Sequence, residues 1–250
     1  MKSNSPFSRE NSKIIKEFDK DIEKNLSKKK EYYIYGNYHK WILTYLKYEN
    51  KVSPSYLQFK IYDIFYDEET YIFENDLLDI MKKYKRILDF GCGTCKIWRN
   101  NRKFIKKHKI HCIDLDADII SYPKYILKSY NIKITNQNLC DLNMKKYDCV
   151  LFSEVIMQID NFESVIKYIV DNNPKVTIIV NHTIFHPFIS KLLTPFKNGI
   201  MRYIPIMKTS YGRALTYEQT VQMFTNEGCH ITYIKKVMDN KFIFVFKKKI

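Results

Sequence analysis

Ile87-Leu88-Asp89-Phe90-Gly91-Cys92-Gly93-Thr94-Cys95 is a short apolar run that ends in a carboxylate and a glycine turn. Ile87 and Leu88 suit a strand buried on both faces, while Gly91 and Gly93 permit positive φ and let a ligand approach the backbone without Cβ contact. A side chain at either glycine is therefore expected to invade ligand space. Lys96, Ile97, Trp98 and Arg99 then start a helix. Strand, glycine turn and helix in that order gather backbone N–H groups and a helix N-terminus at one point, where a nucleotide-like ligand should sit. A dinucleotide-binding turn, G-x-G-x-x-G counted from Gly91, needs a glycine at position 96, and that residue is Lys96.

Asp89, Phe90, Gly91, Cys92 and Gly93 resemble motif I of the class I S-adenosylmethionine-dependent methyltransferases, an acidic residue and an apolar one followed by G-x-G-x-G. Cys95 stands in place of the third glycine and is expected to narrow the room near the cofactor. His111-Cys112-Ile113-Asp114-Leu115-Asp116 reads as a second strand ending in a carboxylate about twenty residues past the glycines, the distance expected of a ribose-binding acid. Asp114 is the candidate, with Leu115 beside it, because a carboxylate accepts both hydroxyls of a ribose diol. The alternative is that Asp114 and Asp116 only cap the following helix.

The resemblance continues in order. Asn138-Leu139-Cys140-Asp141 is similar to the family's adenine-binding turn, with Asn138 or Asp141 facing the exocyclic amine. The run from Tyr147 to Asp160 resembles the fourth strand and the segment after it, which implies a cofactor-side role for Ser153. Gln158 stands where small-molecule members often carry histidine, and an amide cannot titrate, so an acceptor contact is the role left to it. Lys175 to Asn181 reads as a fifth strand, Leu215 to Gly228 as a late helix, and His230 to Val237 with Lys241 to Lys248 as a terminal antiparallel hairpin.

The implied fold is α/β: a Rossmann-like, doubly wound, seven-stranded and mostly parallel sheet with an antiparallel C-terminal hairpin and an N-terminal helical lid. Residues 1–85 are expected to form that lid or extension, with Ile14, Phe18, Ile22 and Leu26 at helical spacing and Tyr35 and Tyr38 as acceptor-facing candidates. Residues 86–250 form the methyltransferase core, with a substrate-side insertion at 182–213 that is rich in proline and apolar residues.

At 250 residues and 45% hydrophobic content the chain suits one core with additions. It shows no signal-peptide pattern and no run long enough to span a membrane, so a cytoplasmic location is expected. The six cysteines lie mostly in core strands and turns, where disulfides are not expected. No metal is expected either: Cys92-x-x-Cys95 lacks a second ligand pair at matching spacing. The net charge of +15 comes almost wholly from scattered lysine, the pattern of a solvated surface, although Lys28-Lys29-Lys30 and Lys247-Lys248-Lys249 keep RNA among the partners considered.

The resemblance implies S-adenosylmethionine as cofactor, S-adenosylhomocysteine as product, and O- or N-methylation of a small-molecule or sugar-type acceptor. RNA methylation and a catalytically inactive scaffold are the alternatives. A sulfonium methyl is already activated, so the protein has to align the acceptor, exclude water and take up a proton. His182 and His186, with Glu154 behind them, are the candidate bases; Tyr211 and Arg213 are candidates for holding the acceptor.

Overall fold

The computed structural model describes residues 68–184, 215–238 and 240–249, together with positions 14, 16–18, 20, 21, 47, 48, 51 and 52. Tyr35, Tyr38, His186, Tyr211 and Arg213, and with them most of the expected lid and insertion, lie outside the described residues.

Helix α1 (Glu68–Met81) leads into β1 (Arg86–Phe90), and the glycine turn leads on to α2 (Lys96–Asn100) and α3 (Arg102–Ile105). The alternation continues through β2 (Lys109–Asp114), α4 (Ala117–Ile126), β3 (Ile132–Asn136), β4 (Cys149–Ser153), α5 (Phe162–Asn172) and β5 (Thr177–Thr183). Helix α6 (Tyr217–Asn226) precedes the hairpin of β6 (Cys229–Met238) and β7 (Lys241–Lys248). One seven-stranded sheet results, ordered β3-β2-β1-β4-β5-β7-β6. Strands β1 to β5 pair in parallel, and β7 pairs antiparallel to both β5 and β6. The expected sheet is thus present.

Successive side chains of a strand point to opposite faces, and both faces here are apolar because helices cover both. Leu88, Ile113, Val150, Phe152, Ile178, Val180, Phe244 and Phe246 pack with residues of α5 and α6. On that side Phe224 stacks on Phe246 with centroids 4.0 Å apart, and Phe162 meets Phe152 edge-on at 4.9 Å. Ile87, Ile110, Cys112, Cys149, Leu151, Ile179, Ile243 and Val245 face the other way, toward α1 and the helices between β1 and β3.

Local signals fix the ends of the elements. Thr216 and Gln219 form a reciprocal capping box at the start of α6, and Asp116 caps α4 by accepting from Asp118 N and Ile119 N. Asp148 accepts from the backbone of Lys85 and Arg86 and from the Arg86 guanidinium, which ties β4 to β1 at the end away from the glycine turn. Strand β5 runs on to Thr183, so His182 is a strand residue and not the first residue of a loop. It pairs with Phe242, and Thr183 with Lys241, which carries Lys241 to the carboxyl end of β5.

His111 bridges three strand segments within this frame: its Nδ1 lies 2.6 Å from Tyr147 Oη and its Nε2 2.7 Å from Thr135 Oγ1. Burial, helped by nearby Lys133, lowers its pKa from the usual 6.5 to about 4. The unfolded chain therefore takes up this proton first as pH falls. Stability should be full above about pH 6.5 and decline by about 1–3 kcal/mol toward pH 4. Urea unfolding of the wild type and His111→Gln at pH 7.5 and 5 checks this, because the variant should lose that part of the pH slope; equal slopes would refute it.

Candidate functional site

Five parallel strands deliver their carboxyl ends to one side of the sheet, which leaves a crevice where the strand order reverses between β1 and β4. A cavity of about 830 Å³ occupies it, lined from the end of β3 (Gln137–Cys140) across β2, β1 and β4 to Asn181 of β5 and Lys241 of β7. That volume lies in the range of a small-molecule site.

The glycine turn forms the centre of the wall. Gly91 and Gly93 adopt φ of 67° and 49°. Gly91 N donates to Ile113 O at 2.9 Å, and Gly93 N donates to Asp114 Oδ2 at 2.9 Å. Asp114 Oδ1 accepts from Asp116 N, so Asp114 binds backbone and faces the cavity while Asp116 does the capping. Next to it Leu115 is 71% exposed and lines the cavity.

Asp89 is 2% exposed, accepts from Trp98 Nε1 at 2.6 Å, and keeps Oδ1 without a hydrogen-bond partner. Burial pushes its pKa up to about 8 against the Trp98 bond. On α1, Glu74 is also buried, and burial raises its carboxyl although Asn100 and Asn101 donate to it.

Several expectations are resolved by position. Phe90, Cys92, Leu139, Ser153, Glu154 and Gln158 all line the cavity, together with Asn138, whose Oδ1 is taken up by Cys140 N as the cap of a short 3-10 turn. Asp141 does not line it, so of the two adenine-side candidates only Asn138 is in place. Cys95 turns away from the cavity into the core with φ of 52°; it narrows nothing there, because its sulfur packs behind the turn. His182 is 0% exposed and lies outside the cavity wall, since β5 alternates and gives that face to Asn181. Glu154, held at φ 54°, reaches the cavity, where Thr183 N and Oγ1 donate to it and Lys241 Nζ lies 3.3 Å away.

Sequence reading missed Phe73 and Glu74, Val155, Asp160, Asn181 and Lys241, which also line the cavity. Glu74 shares its helix with Glu68, Glu69, Asp76 and Asp79, so nothing in the sequence singles it out. Six carboxylates line the cavity (Glu74, Asp89, Asp114, Asp116, Glu154 and Asp160) against two lysines, Lys96 and Lys241.

Residues 88–171 match the family model of a methyltransferase domain. No curated protein sequence matches the chain. Solved structures share the fold at low identity. The PH0226 protein from Pyrococcus horikoshii OT3 is 18% identical with a TM-score of 0.56, the match covering 72% of this chain and 89% of that one. An S-adenosylmethionine-dependent methyltransferase from Clostridium acetobutylicum is 12% identical with a TM-score of 0.53, covering 73% and 93%. N,N-8-amino-8-demethyl-D-riboflavin dimethyltransferase from Streptomyces davawensis is 12% identical with a TM-score of 0.57, covering 82% of this chain and 64% of its own.

The two glycines differ in what a side chain would meet. A Cβ on Gly91 would lie 2.3 Å from Val155 Cγ2, whereas a Cβ on Gly93 meets nothing within 4 Å. The first expectation is thus corrected: at Gly91 the obstacle is the protein itself. Gly91→Ala should cost about 2–4 kcal/mol, from left-handed strain plus overpacking, and Gly93→Ala about 1–2 kcal/mol from strain alone. Denaturant unfolding measures both; equal losses, or no positive coupling between Gly91→Ala and Val155→Ala in a double-mutant cycle, would contradict the contact.

Proposed function

We propose that the chain, whose residues 88–171 match a methyltransferase-domain model, is a class I S-adenosylmethionine-dependent methyltransferase that binds S-adenosylmethionine in this cavity and transfers the methyl group to a small-molecule acceptor. The observation that carries the reading is the charge of the wall. A chain of net charge +15 surrounds the cavity with Glu74, Asp114, Asp116, Glu154 and Asp160 against two lysines, while Asp89, its pKa pushed up to about 8, adds little charge at neutral pH. A sulfonium with an ammonium group suits that field, and a pyrophosphate does not.

The residues divide by position. Asp114 takes the ribose hydroxyls on lone pairs that Gly93 N and Asp116 N leave available, and its carboxylate is already oriented by those two bonds. Leu115 and Leu139 hold the adenine, with Asn138 at its edge. Asp89 and Glu74, the two buried acids nearest the glycine turn, face the amino-acid end. Ser153, the last residue of β4, stays on the cofactor side; Glu154 and Gln158 follow β4 on the acceptor side, and Tyr35, Tyr38, Tyr211 and Arg213 remain candidates for the lid and insertion that close over it. Of the three candidate bases this reading assigns the proton of the acceptor to Glu154, with Lys241 beside it, because Glu154 lines the cavity and His182 does not.

A small acceptor is favoured over RNA because the same acidic wall repels a phosphate backbone at the point of transfer. An inactive scaffold is disfavoured because neither Cys95 nor Trp98 fills the cavity. A dimethyltransferase of the same fold is named for a riboflavin-type small molecule, which agrees with this reading.

Calorimetric titration should show binding of S-adenosylmethionine and S-adenosylhomocysteine and none of NAD. Asp114→Ala should weaken binding by about 1–3 kcal/mol. NAD binding without a response to S-adenosylmethionine would end the proposal. For the acceptor, labelled methyl transfer into a fractionated extract should place label in a low-mass or glycan pool; label lost on nuclease treatment would shift the assignment to RNA. Once an acceptor is in hand, Glu154→Gln should lower kcat by about 10²-fold and leave cofactor affinity unchanged; unchanged turnover would remove Glu154 as the base.

A further inference from the structure

Three thiols that the cofactor reading leaves unused meet behind the glycine turn. Cys92 and Cys95 bracket the turn, and the pairing of β2 with β1 sets Cys112 opposite Asp89. The three Sγ atoms lie within 4.8 Å of one another. All are free thiols; Cys95 and Cys112 are fully buried and Cys92 sits half-buried in the cavity wall. Sequence spacing argued against a metal because Cys92-x-x-Cys95 lacked further ligands. The missing thiol comes from the neighbouring strand, at a separation set by the β-α-β crossover and not by any finger-like spacing.

A second observation points to the same place. Cys112 Sγ donates to Asp89 Oδ2 at 3.9 Å, and Asp89 Oδ1 is buried without a hydrogen-bond partner. An unmatched buried carboxylate oxygen is costly, and here it stands beside three thiols. We propose that Cys92, Cys95 and Cys112 bind one Zn²⁺ ion, with the Asp89 carboxylate as the fourth donor.

The chemistry is consistent with that ion. Zn–S bonds of about 2.3 Å in a tetrahedron place sulfurs about 3.8 Å apart, so the cluster closes on the metal by side-chain rotation of about an ångström. Three thiolates and one carboxylate oxygen suit borderline-soft Zn²⁺; a hard ion would want oxygens, and copper(I) would leave the carboxylate unused. Binding requires the three cysteines as thiolates and Asp89 as a carboxylate, so whatever protons these four groups carry are released to solvent. Buried Arg99, whose Nε donates to Thr94 O within the same turn, offsets part of the resulting negative charge. An ion on Oδ1 leaves Oδ2 with the bond it already accepts from Trp98 Nε1, and the site stands whether or not the cofactor reading holds.

Cobalt(II) titration of the full-length reduced protein, with no cofactor added, tests it. One equivalent of Co²⁺ should produce thiolate-to-metal charge-transfer absorption, which one equivalent of Zn²⁺ abolishes by displacement. Cys112→Ser and Cys95→Ser should each weaken zinc binding at least tenfold in competition with a chromophoric chelator, and Cys140→Ser, outside the cluster, should not. If the core serines fail to fold, Cys92→Ser at the half-buried position carries the same comparison. Wild-type protein without a charge-transfer band, a band that survives the loss of a cluster thiol in a folded variant, or a Cys92–Cys95 disulfide that persists in reductant and excludes metal would each overturn the proposal.

Discussion

The glycine turn is held to the end of β2 by three N–H groups: Gly91 N and Cys92 N donate to Ile113 O at 2.9 and 3.2 Å, and Gly93 N donates to the Asp114 carboxylate at 2.9 Å. Both sides of this stitch matter. It lets the chain leave β1 in a left-handed path that only glycine follows cheaply, and it orients Asp114 before any ligand arrives. The register of β1 on β2 follows from the same pairing, which sets Asp89 beside Cys112 and Phe90 beside Ile113. The cavity on one side of the turn and the thiol cluster on the other are therefore two products of one constraint.

Electrostatics sorts the molecule into regions. Its lysines are spread along the chain, and those near the turn after α3, Lys106 and Lys107, are exposed to water. The acids concentrate where the parallel strands end. Solvent screens scattered surface charge within roughly 10 Å at 0.1 M salt, whereas partly buried carboxylates act on a bound ligand with little screening. Net charge alone therefore misleads about what this chain binds. The local field at the switch point is acidic, opposite in sign to the total.

Much of the fold was legible because each strand carries its own evidence: Ile87-Leu88, Ile110 to Ile113, Cys149 to Phe152 and Ile178 to Val180 are short runs that are apolar except at His111, as two-sided burial requires. The glycines and Asp114 were legible because the chemistry there depends on backbone freedom and one carboxylate at a fixed interval. What sequence could not give is which side a residue takes at a strand end. His182 reads as the first loop residue, yet β5 runs two positions further, to Thr183, and alternation turns His182 inward and Asn181 to the cavity. Glu74 and Lys241 belong to elements far apart in the chain, and only packing of α1 and the β7 register brings them to the same cavity. Cys112 likewise joins Cys92 and Cys95 through strand pairing.

Cys95 shows how one residue can satisfy two demands. It holds the position at which the related turns carry a third glycine, and it keeps the left-handed conformation with φ of 52°. For a residue with a Cβ that costs about 1–2 kcal/mol. Its N–H donates to Cys92 O at 2.9 Å, and its sulfur is fully buried against Trp98 and the core of α1. Burying the side chain returns about 1 kcal/mol or more, enough to offset the strain. The backbone thus follows the glycine path while the side chain points away from the cavity, so the turn keeps its shape. The same orientation puts the thiol within reach of Cys92 and Cys112, and a glycine there would leave that cluster with two sulfurs.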